Sequence, residues 1–588
     1  MRLVADIESN GFLDNLTKIH CIALMDIESG RVWSHGPDGI EKAIEEMMSA
    51  SELILHNGIC FDIPAIKKLY PNFSTEGIKV TDTLVLSRLI KADLKEDDAR
   101  KSWAEERLPR RLYGSHSLEA WGMRLGVLKG SFGKEQADWQ DWSQEMQDYC
   151  EQDVTVTHLL WLHLQPHKWS EKAIRFEHDI AEICNRIGNA GWNFDVKKAQ
   201  RLYGQLAAEK IQLEQELQTL FPPWTVETEF VPKVNNSRLG YVKGEPFIKC
   251  KSIDFNPNSR KHIEFCLRKK YGWEPQEYTA SGDAKIDESV LAQLPFPEAQ
   301  KLARSFMLQK RLGQLSDGKN GWMKLVSEDG VLTHTINTLG TVTGRCSSFA
   351  PNLQQVPALR AAYGKECREL FTVPDGYHLV GADLSGIELR CFAEMLPDDG
   401  EYGRMILEGD IHQINADNLG ITRDQAKTVQ YAMLYGSGDK RLGEILGAGA
   451  REGRELKQRY FQSLPAFSML MRQIKHALSK RGYLLGLDGR RLTVRSEHSA
   501  LNVLLQSAGA LIAKKWVQLV DQEFKKQGLD AEIIAFVHDE IEIRTKGDPD
   551  YVGHNISVRL AGEAGKFFGF RTPIDAEYKH GRTWADCH

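Results

Sequence analysis

Two acidic residues that could share metal ions lie near the start of the sequence, at Asp6 and Glu8. The apolar stretch around them predicts a strand over residues 3–7, and the two-residue period of a strand places both carboxylates on one face. Adjacent carboxylates repel each other, and divalent cations between them remove that repulsion. The pair therefore indicates a metal site near the end of a core strand.

Three further groups have the chemical types that such a site needs. Asp62 follows Asn57 in the stretch HNGICFD, and Asp153 closes the stretch YCEQD within a helix predicted over residues 144–164. Tyr149 stands four residues before Asp153, so the two side chains share a helical face. Four carboxylates and one tyrosine hydroxyl are the groups required for two-metal hydrolysis of a phosphodiester, in which the tyrosine can orient the attacking water. Any one of these acids alone is typical of an unrelated surface residue. The ordered set favours a site for phosphodiester hydrolysis.

The ordered set resembles the DEDDy type of 3′–5′ exonuclease. The resemblance implies that Asp6, Glu8, Asp62 and Asp153 bind two Mg²⁺ ions and that Tyr149 is catalytic. It also implies an N-terminal α/β RNase H-like 3′–5′ exonuclease domain of the DEDDy type.

A second pair of acids lies in the later half of the chain. Asp383 closes a strand predicted over residues 377–382, and Asp539 sits at the turn between two strands predicted within residues 533–543. Two aspartates from two strands are what a two-metal site needs for attack of a primer 3′ oxygen on the α-phosphate of a nucleotide. Magnesium suits this chemistry because it accepts oxygen ligands and bound phosphates.

A helix predicted between these aspartates carries cations and aromatic rings in one stripe. Arg423, Lys427, Tyr431 and Tyr435 recur at intervals of four residues. The cations occupy the first turns, where the helix dipole favours a polyanion, and the tyrosines offer flat surfaces for a nucleobase and its template partner. A core helix would not place Arg and Lys on its aromatic side, so the stripe favours nucleotide binding.

Together these blocks resemble the signatures of DNA polymerase family A. The matching elements are D-x-S-x-x-E from Asp383, the R-x-x-x-K-x-x-x-[FY]-x-x-x-Y-G helix from Arg423, VHDE at 537–540, TVTGR at 341–345, PNLQ at 351–354, GDIH at 409–412 and LNVLLQSAGA at 501–510. The similarity is closest to the replicative polymerases of short-tailed, T-seven-like bacteriophages, through SHSLEAWG at 115–122, DTLVLSRLI at 82–90, GLDGRR at 486–491 and the stretch 584–588. The resemblance covers nearly the whole chain.

This resemblance implies a role for each matched residue of the polymerase site. Asp383, Asp539 and the carbonyl of Leu384 would hold two Mg²⁺ ions, for which Mn²⁺ is a possible substitute. The remaining nucleotide-site residues are His412, Arg423 and Lys427 on the triphosphate, with Lys427 also as a general acid, Tyr431 and Tyr435 at the base, and Glu388 beneath the sugar, where it excludes a 2′-hydroxyl.

Four other residues would contact the primer–template. They are Arg345, Asn502, Gln506 and His538. The minor groove presents acceptors at similar positions in every correct base pair, so such contacts sense pairing geometry without reading sequence.

The fold class implied is α+β multidomain, a right-hand polymerase of palm, fingers and thumb behind the exonuclease. We expect the exonuclease at 1–165, the thumb at 175–320, the first part of the palm at 321–395, the fingers at 396–495 and the second part of the palm at 496–588. Helical periodicity predicts a long helical stretch over residues 170–220, followed by an extended loop at 221–253.

Primer–template DNA and deoxynucleotides are the implied partners, with the helicase-primase of a replisome as a further candidate. In the T-seven lineage a long basic thumb insertion binds host thioredoxin, and the matching stretch 221–253 is far shorter here. Thioredoxin is therefore not expected as a partner; either the enzyme is moderately processive alone or another protein assists. Basic stretches at 100–134 and 260–270 are expected to follow DNA phosphates.

Composition agrees with a multidomain globular protein. The chain has 588 residues, a net charge of −6 and 42% hydrophobic residues, and its mean hydropathy of −0.40 predicts no membrane contact. Ten scattered cysteines without a C-x-x-C pair favour reduced thiols. Asp6 interrupts the apolar core that a secretory signal would need. We therefore expect the protein to be located in the cytoplasm of a bacterial host.

Other function classes fit less well. A single-subunit RNA polymerase shares the paired aspartates and the helix, but the exonuclease set and Glu388 argue against it. The presence of all six metal carboxylates argues against a DNA-binding scaffold with decayed sites. It also argues against a nuclease that does not synthesise DNA. A P-loop helicase or ATPase is excluded because the sequence contains no G-x-x-x-x-G-K-[ST].

Overall fold

The computed structural model describes residues 1–101, 106–127, 139–279 and 281–588. These form two compact units. The first unit comprises Met1–Trp192, Thr333–Val356 and Val373–His588, and the second comprises Asn193–Leu332 and Pro357–Thr372. The basic stretch predicted at 100–134 lies partly outside the described residues.

The first unit begins with a mixed five-stranded sheet. Its strands, in spatial order, are Val32–His35, Ile19–Asp26, Arg2–Ser9, Glu52–Leu55 and Lys79–Asp82. The central strand Arg2–Ser9 runs antiparallel to Ile19–Asp26 and parallel to Glu52–Leu55. Apolar side chains pack on both faces of this sheet, which is why Ile19–Asp26 is buried along nearly its whole length.

Helix Gln144–Leu164 covers one face of this sheet. Met146, Cys150 and Val154 recur at intervals of four residues and are buried against the strands. The prediction of this helix is confirmed at both ends, since Ser143 caps its N-terminus by accepting the backbone N–H of Met146. Asp153 is thereby brought over the strand that carries Asp6.

The predicted helical stretch over residues 170–220 consists of two helices. Helix Glu171–Ala190 ends at Gly191, whose φ of 60° leaves the helical region, and the short strand Trp192–Phe194 follows. A second helix, Val196–Leu220, then begins after Asp195, whose side chain accepts the backbone N–H of Lys198. Hydrophobic periodicity does not reveal the break, because both helices carry apolar residues at helical spacing.

The boundary between the units follows from this break. Helix Glu171–Ala190 belongs to the first unit, and the second unit begins at Asn193. The division into thumb, palm and fingers stays a prediction.

The second unit contains an exposed two-stranded ribbon where the sequence suggested a loop. Strands Trp224–Phe230 and Phe247–Ile253 pair antiparallel along their whole length. The prediction of an extended loop at 221–253 is therefore wrong. Alternating apolar and polar residues in TVETEF and FIKCKSI carry the strand signal, which the charged residues among them obscured.

A four-stranded antiparallel sheet lies in the later part of the first unit. Its spatial order is Ala531–Val537, Glu540–Thr545, His378–Leu384 and Ala576–Gly581. Strand His378–Leu384 extends two residues beyond its predicted end at residue 382, so Asp383 lies within the strand. The predicted pair of strands joined by a tight turn is confirmed, with His538 and Asp539 forming the turn.

Helix Ala500–Gln527 is buried along most of its length within this region. Helix Arg423–Leu434 begins at its predicted residue and ends one residue early. Among the described residues, the other α-helices are Ile40–Met48, Asp62–Leu69, Thr83–Ile90, Leu94–Arg100, Leu118–Leu125, Arg260–Tyr271, Glu288–Gln293, Pro297–Leu312, Trp322–Leu325, Gly364–Arg368, Ile387–Met395, Glu401–Glu408, Ile411–Leu419, Asp439–Ile445, Ala450–Ser463, Pro465–Arg481 and Arg559–Phe567.

The remaining strands are short: Val331–Leu332, Thr335–Asn337, Ser347–Phe349, Phe371–Thr372, Leu484–Leu485 and Arg491–Leu492. Across the described parts of the chain, the helices lack the length and apolar character that would let one cross a bilayer.

Candidate active sites

The structure brings the first group of predicted acids together. Carboxylate oxygens of Asp6, Glu8 and Asp153 lie within 4.8 Å of one another. Asp6 and Glu8 are half-buried and Asp153 is 4% exposed. Tyr149, one turn before Asp153 on the same helix, is half-buried. Three carboxylates at this separation form a donor set suited to a hard divalent cation.

Asp62 joins this site from the first turn of helix Asp62–Leu69. It is not one of the three closely grouped acids, but it is buried near enough to Asp153 to feel the charge of that carboxylate. Burial raises the pKa of Asp62 to about 7, and the negative charges of Asp82 and Asp153 add to this effect. Asp62 is therefore buried and close to like charge, as a metal-binding carboxylate would be.

Asp82 organises the loop before Asp62, a role that sequence reasoning missed. Its carboxylate accepts the backbone N–H groups of Asn57 at 2.9 Å, Ile59 at 3.1 Å and Leu84 at 2.9 Å. Asn57 has a φ of 66°, so the loop turns sharply there. The sequence does indicate a capping role for Asp82, because an Asp directly before the apolar run TLVLSRLI is a typical N-cap.

The second pair of aspartates lies on neighbouring strands. The backbone N–H of Leu384 donates to the carbonyl oxygen of Asp539 at 3.0 Å, which ties the end of strand His378–Leu384 to the hairpin turn. Asp383 lies between Glu540 and Glu577 on the two adjacent strands. Its side chain is open to solvent at one side, yet partial burial, followed by the charges of Asp539, Glu540 and Glu577, raises its pKa to about 7.

Burial also raises the pKa of Asp539. A cation bound between two carboxylates with elevated pKa values would relieve their repulsion and so lower the free energy of the ionised site.

Glu540, next to Asp539, has a different environment. Its Oε1 accepts hydrogen bonds from the indole of Trp584 and from His588 Nε2, both at 2.7 Å. Although burial opposes its ionisation, the hydrogen bonds and the charge of His588, together with the Trp584 bond, lower the pKa of Glu540 to about 2. Ligand atoms of Glu540, Glu542 and His588 also lie within 4.8 Å of one another. Glu540 thus anchors the hairpin to residues 584–588, a contact too distant in sequence to foresee.

The cations of helix Arg423–Leu434 face away from the core. Arg423 and Lys427 are exposed, Tyr431 is half-buried, and the ring centroids of Tyr431 and Tyr435 are 6.3 Å apart. Arg423 Nε donates to Asp410 Oδ2 at 2.6 Å. The stripe therefore lies on one face of the helix, and Arg423 already holds a carboxylate there.

His412 lies beside this stripe. The ring centroids of His412 and Tyr431 are 6.3 Å apart, and His412 Nδ1 hydrogen-bonds to Gln430 Oε1 at 2.9 Å. Gln430 in turn donates to the hydroxyl of the buried Tyr402. Burial lowers the pKa of His412, as do Lys427 and Arg423. Gln430 and Tyr402 thus hold His412 in place through hydrogen bonds. The spacing of the stripe residues does not predict these contacts.

Glu388 connects the helix to the loop that carries Arg345. Arg345 donates to Glu388 Oε1 at 3.0 Å, and the Tyr435 hydroxyl donates to Glu388 Oε2 at 2.5 Å. Burial raises the pKa of Tyr435, and the Glu388 carboxylate adds to this effect. Both carboxylate oxygens of Glu388 are thus engaged, and three residues predicted for separate tasks form one network.

The other residues predicted to contact DNA lie on two elements. Asn502 and Gln506 are one turn apart on helix Ala500–Gln527 and are half-buried. Asn502 Oδ1 is buried without a hydrogen-bond partner among the described residues. His538 precedes Asp539 in the hairpin turn with a φ of 61°. An unsatisfied buried oxygen is costly unless a ligand reaches it.

Comparison with known proteins agrees with this architecture. The family model for DNA polymerase family A matches residues 238–586. The DNA-directed DNA polymerase of Escherichia phage T7 is 34% identical over 710 aligned residues that cover 100% of both chains.

This chain belongs to DNA polymerase family A. The enzyme of Enterobacteria phage T3 has the same identity and coverage. The POL domain of Pol1 from M. smegmatis, solved in complex with DNA primer-template and dNTP, is similar with a TM-score of 0.74 at 18% identity. That likeness covers 100% of this chain and 96% of the other, and it confirms the polymerase fold. Family A polymerases use divalent metal ions.

Proposed function

We propose that this family A DNA polymerase extends a primer 3′ end at Asp383 and Asp539 and removes nucleotides from that end at a second site. The observation that carries the proposal is the presence of two separate groups of carboxylates, each gathered from distant parts of the sequence. Each group supplies the oxygen donors of a two-metal phosphoryl-transfer site.

The donor sets fit divalent cations. Asp383 and Asp539 present carboxylates whose ionisation is opposed by burial and by neighbouring acids, so a bound cation would relieve the repulsion. Oxygen donors of this kind suit Mg²⁺, with Mn²⁺ as a substitute. When bound, two such ions supply charge stabilisation for the attacking and leaving oxygens of phosphoryl transfer. The carbonyl of Leu384 would complete the donors.

Arg423, Lys427 and His412 would hold the triphosphate of the incoming nucleotide. All three lie on or beside one face of helix Arg423–Leu434, where positive charge is concentrated. Arg423 would exchange Asp410 for a phosphate oxygen, because a guanidinium binds both in the same planar geometry. Lys427 would donate a proton to the departing pyrophosphate.

Glu388 and the tyrosines would shape the sugar and base site. The network of Glu388, Arg345 and Tyr435 fixes the carboxylate in place. A fixed carboxylate beneath the sugar would leave no room for a 2′-hydroxyl, which favours deoxynucleotides. Asn502, whose Oδ1 is unsatisfied, would contact the minor groove together with Gln506 and His538.

The first group of acids would perform 3′–5′ proofreading. Asp6, Glu8, Asp62 and Asp153 would hold two cations, and Tyr149 would orient the water that attacks the terminal phosphodiester. The relatives' names concern polymerisation alone, so this activity rests on the geometry.

Primer–template DNA and dNTP are the proposed partners, as in the complex named for the M. smegmatis neighbour. The similarity to two phage enzymes supports viral DNA replication in the host cytoplasm, where a helicase-primase would be a further partner. The ribbon at 224–253 is a short structure, so thioredoxin is not proposed as a processivity factor.

Matched variants of the two sites test the proposal. In Asp383→Asn, with Asp539→Asn as a second variant, we expect primer extension to be lost while 3′-end degradation of the same labelled primer persists. In Asp6→Ala with Glu8→Ala, we expect the reverse. Loss of both activities in either variant, with unchanged unfolding temperature, would contradict two independent sites.

A further inference from the structure

The ribbon of the second unit has two chemically different faces. We use the term ribbon for residues 224–253, whose paired strands are Trp224–Phe230 and Phe247–Ile253. Most of its strand side chains are exposed on both sides. A two-stranded ribbon gains little stability by itself, so its exposed side chains call for an explanation in binding.

The register of the strands separates the charges. One face consists of four cross-strand pairs, which are Trp224 with Ile253, Val226 with Lys251, Thr228 with Lys249, and Phe230 with Phe247. The opposite face consists of Thr225 with Ser252, Glu227 with Cys250, and Glu229 with Ile248. Among these strand residues, both lysines and all three aromatic rings share the first face, while both glutamates are on the second. We call these the basic-aromatic face and the acidic face.

Residues of the turn extend the basic-aromatic face. The Tyr241 ring lies 5.4 Å from Phe230 and 5.0 Å from Phe247, measured between centroids. Lys249 Nζ lies 3.5 Å from the Phe230 centroid and 5.2 Å from that of Tyr241. The ammonium group is therefore held beside two rings at cation–π distance, and positive charge is fixed within an aromatic surface.

Helix Arg260–Tyr271 continues this surface at the base of the ribbon. Trp224 stacks on Phe265 with centroids 4.8 Å apart and an interplanar angle of 29°. Lys269, one turn further along the helix, lies 5.7 Å above the Phe265 ring. Phe265 is 41% exposed and Phe247 is 40% exposed. Flat rings and lysines thus alternate from the helix to the tip of the ribbon.

This alternation fits a polyanion whose flat groups are accessible. In single-stranded DNA the base faces can stack on exposed rings while the phosphates meet lysines. Duplex DNA keeps its base faces stacked inside, so it would leave the exposed rings unused. An apolar protein surface would bury the lysines without compensation. We propose that the basic-aromatic face binds single-stranded DNA, at a site separate from both carboxylate groups.

Binding of labelled oligothymidylate to the full-length chain tests this site. Divalent ions are removed by chelation to prevent degradation of the probe, and the primer–template site is filled with an unlabelled hairpin primer–template. Phe247→Ala should raise the Kd of the probe about fivefold or more, since it removes a stacking platform. Ile248→Ala, the adjacent residue on the acidic face, should leave the Kd within twofold.

A charge series provides an independent readout. Lys249→Gln with Lys251→Gln should lower the slope of log Kd against log salt by about 1.4, two phosphate contacts at roughly 0.7 each. Lys285→Gln with Lys319→Gln, two exposed lysines elsewhere in the same unit, should not change it. Unaltered probe binding by the ribbon variants, as expected of a surface that binds a protein instead, would overturn the proposal. So would equal losses from Phe247→Ala and Ile248→Ala.

Discussion

At the residue scale, Glu388 shows how one side chain can link several tasks. Its two carboxylate oxygens are held by Arg345 and Tyr435, so its position depends on both a loop and a helix. A carboxylate with both oxygens engaged has little freedom to move aside. If Glu388 excludes the 2′-hydroxyl as proposed, selectivity for deoxyribose depends on the network and not on Glu388 alone.

Removal of the Glu388 side chain should relax this selectivity. We expect Glu388→Ala to raise ribonucleotide incorporation relative to deoxynucleotide by about tenfold or more, because the obstacle to a 2′-hydroxyl is gone. Tyr435→Phe keeps the ring and frees one carboxylate oxygen, so a smaller increase is expected. Single-nucleotide extension with each substrate provides the kcat/KM ratios. If Glu388→Ala and the parent enzyme show the same ratio, Glu388 does not exclude the 2′-hydroxyl.

The hydroxyl of Tyr431 should favour chain terminators. Tyr431 is half-buried on the helix that we propose for the incoming nucleotide, where its hydroxyl would substitute for the missing 3′-hydroxyl of a dideoxynucleotide. Tyr431→Phe should therefore lower dideoxynucleotide incorporation by at least about tenfold while leaving deoxynucleotide incorporation largely unchanged. A competition assay with both nucleotides measures this ratio directly. Equal ratios for the two enzymes would show that the hydroxyl has no such role.

At the element scale, a buried ionic network joins helix Glu171–Ala190 to helix Ala500–Gln527. The carboxylate of Glu177 accepts from Lys514 Nζ at 2.7 and 2.9 Å and pairs with Arg490 at 2.7 Å. Asp488 pairs with Arg490 at 2.6 Å. All four groups are buried, and two negative charges balance two positive ones. The network fixes elements that the sequence places far apart.

Neutralising one member should destabilise the first unit. Glu177→Gln leaves two buried cations with one carboxylate, which costs about 3–5 kcal/mol in unfolding free energy. Glu182→Gln, on the same helix, removes an exposed pair with Arg186 and should cost less than about 1 kcal/mol. Thermal unfolding followed by calorimetry would show a clearly larger shift for Glu177→Gln. Similar shifts for both variants would mean that the network contributes little stability.

Elements with strong local signals could be predicted from the sequence, and contacts between distant elements could not. The hairpin around Asp539, the helix from Arg423 and the helix that carries Asp153 follow from periodicity and turn residues over short windows. The anchoring of Glu540 by Trp584 and His588 depends on tertiary packing, which periodicity does not encode. The ribbon was missed because exposed strands lack the buried apolar face that usually identifies a strand.

At the scale of the whole molecule, acidic net charge coexists with local cationic surfaces. The chain carries a net charge of −6, yet Arg423 and Lys427 share one helix face and Lys249 and Lys251 share one ribbon face. Such segregation lets an acidic protein bind a polyanion where its cations cluster. The average charge therefore says little about the binding surfaces.

Affinity for primer–template DNA should accordingly fall steeply with salt. Six to ten phosphate contacts would weaken binding by about 10³–10⁵-fold between roughly 50 and 200 mM monovalent salt. Equilibrium binding without divalent ions, measured across that range, gives the slope. Circular dichroism over the same range controls for unfolding. A slope near zero would mean that phosphate contacts contribute little to binding.

The position of Asp383 in its sheet also has a consequence for biosynthesis. Its strand, His378–Leu384, pairs on one side with Glu540–Thr545 and on the other with Ala576–Gly581. While a ribosome is still making residues 400–500, both edges of that strand lack their neighbours. All the acids of the first group have by then been translated. The sheet that carries the first group can therefore form earlier than this one, and the nascent protein must keep one central strand from mispairing until its neighbours emerge.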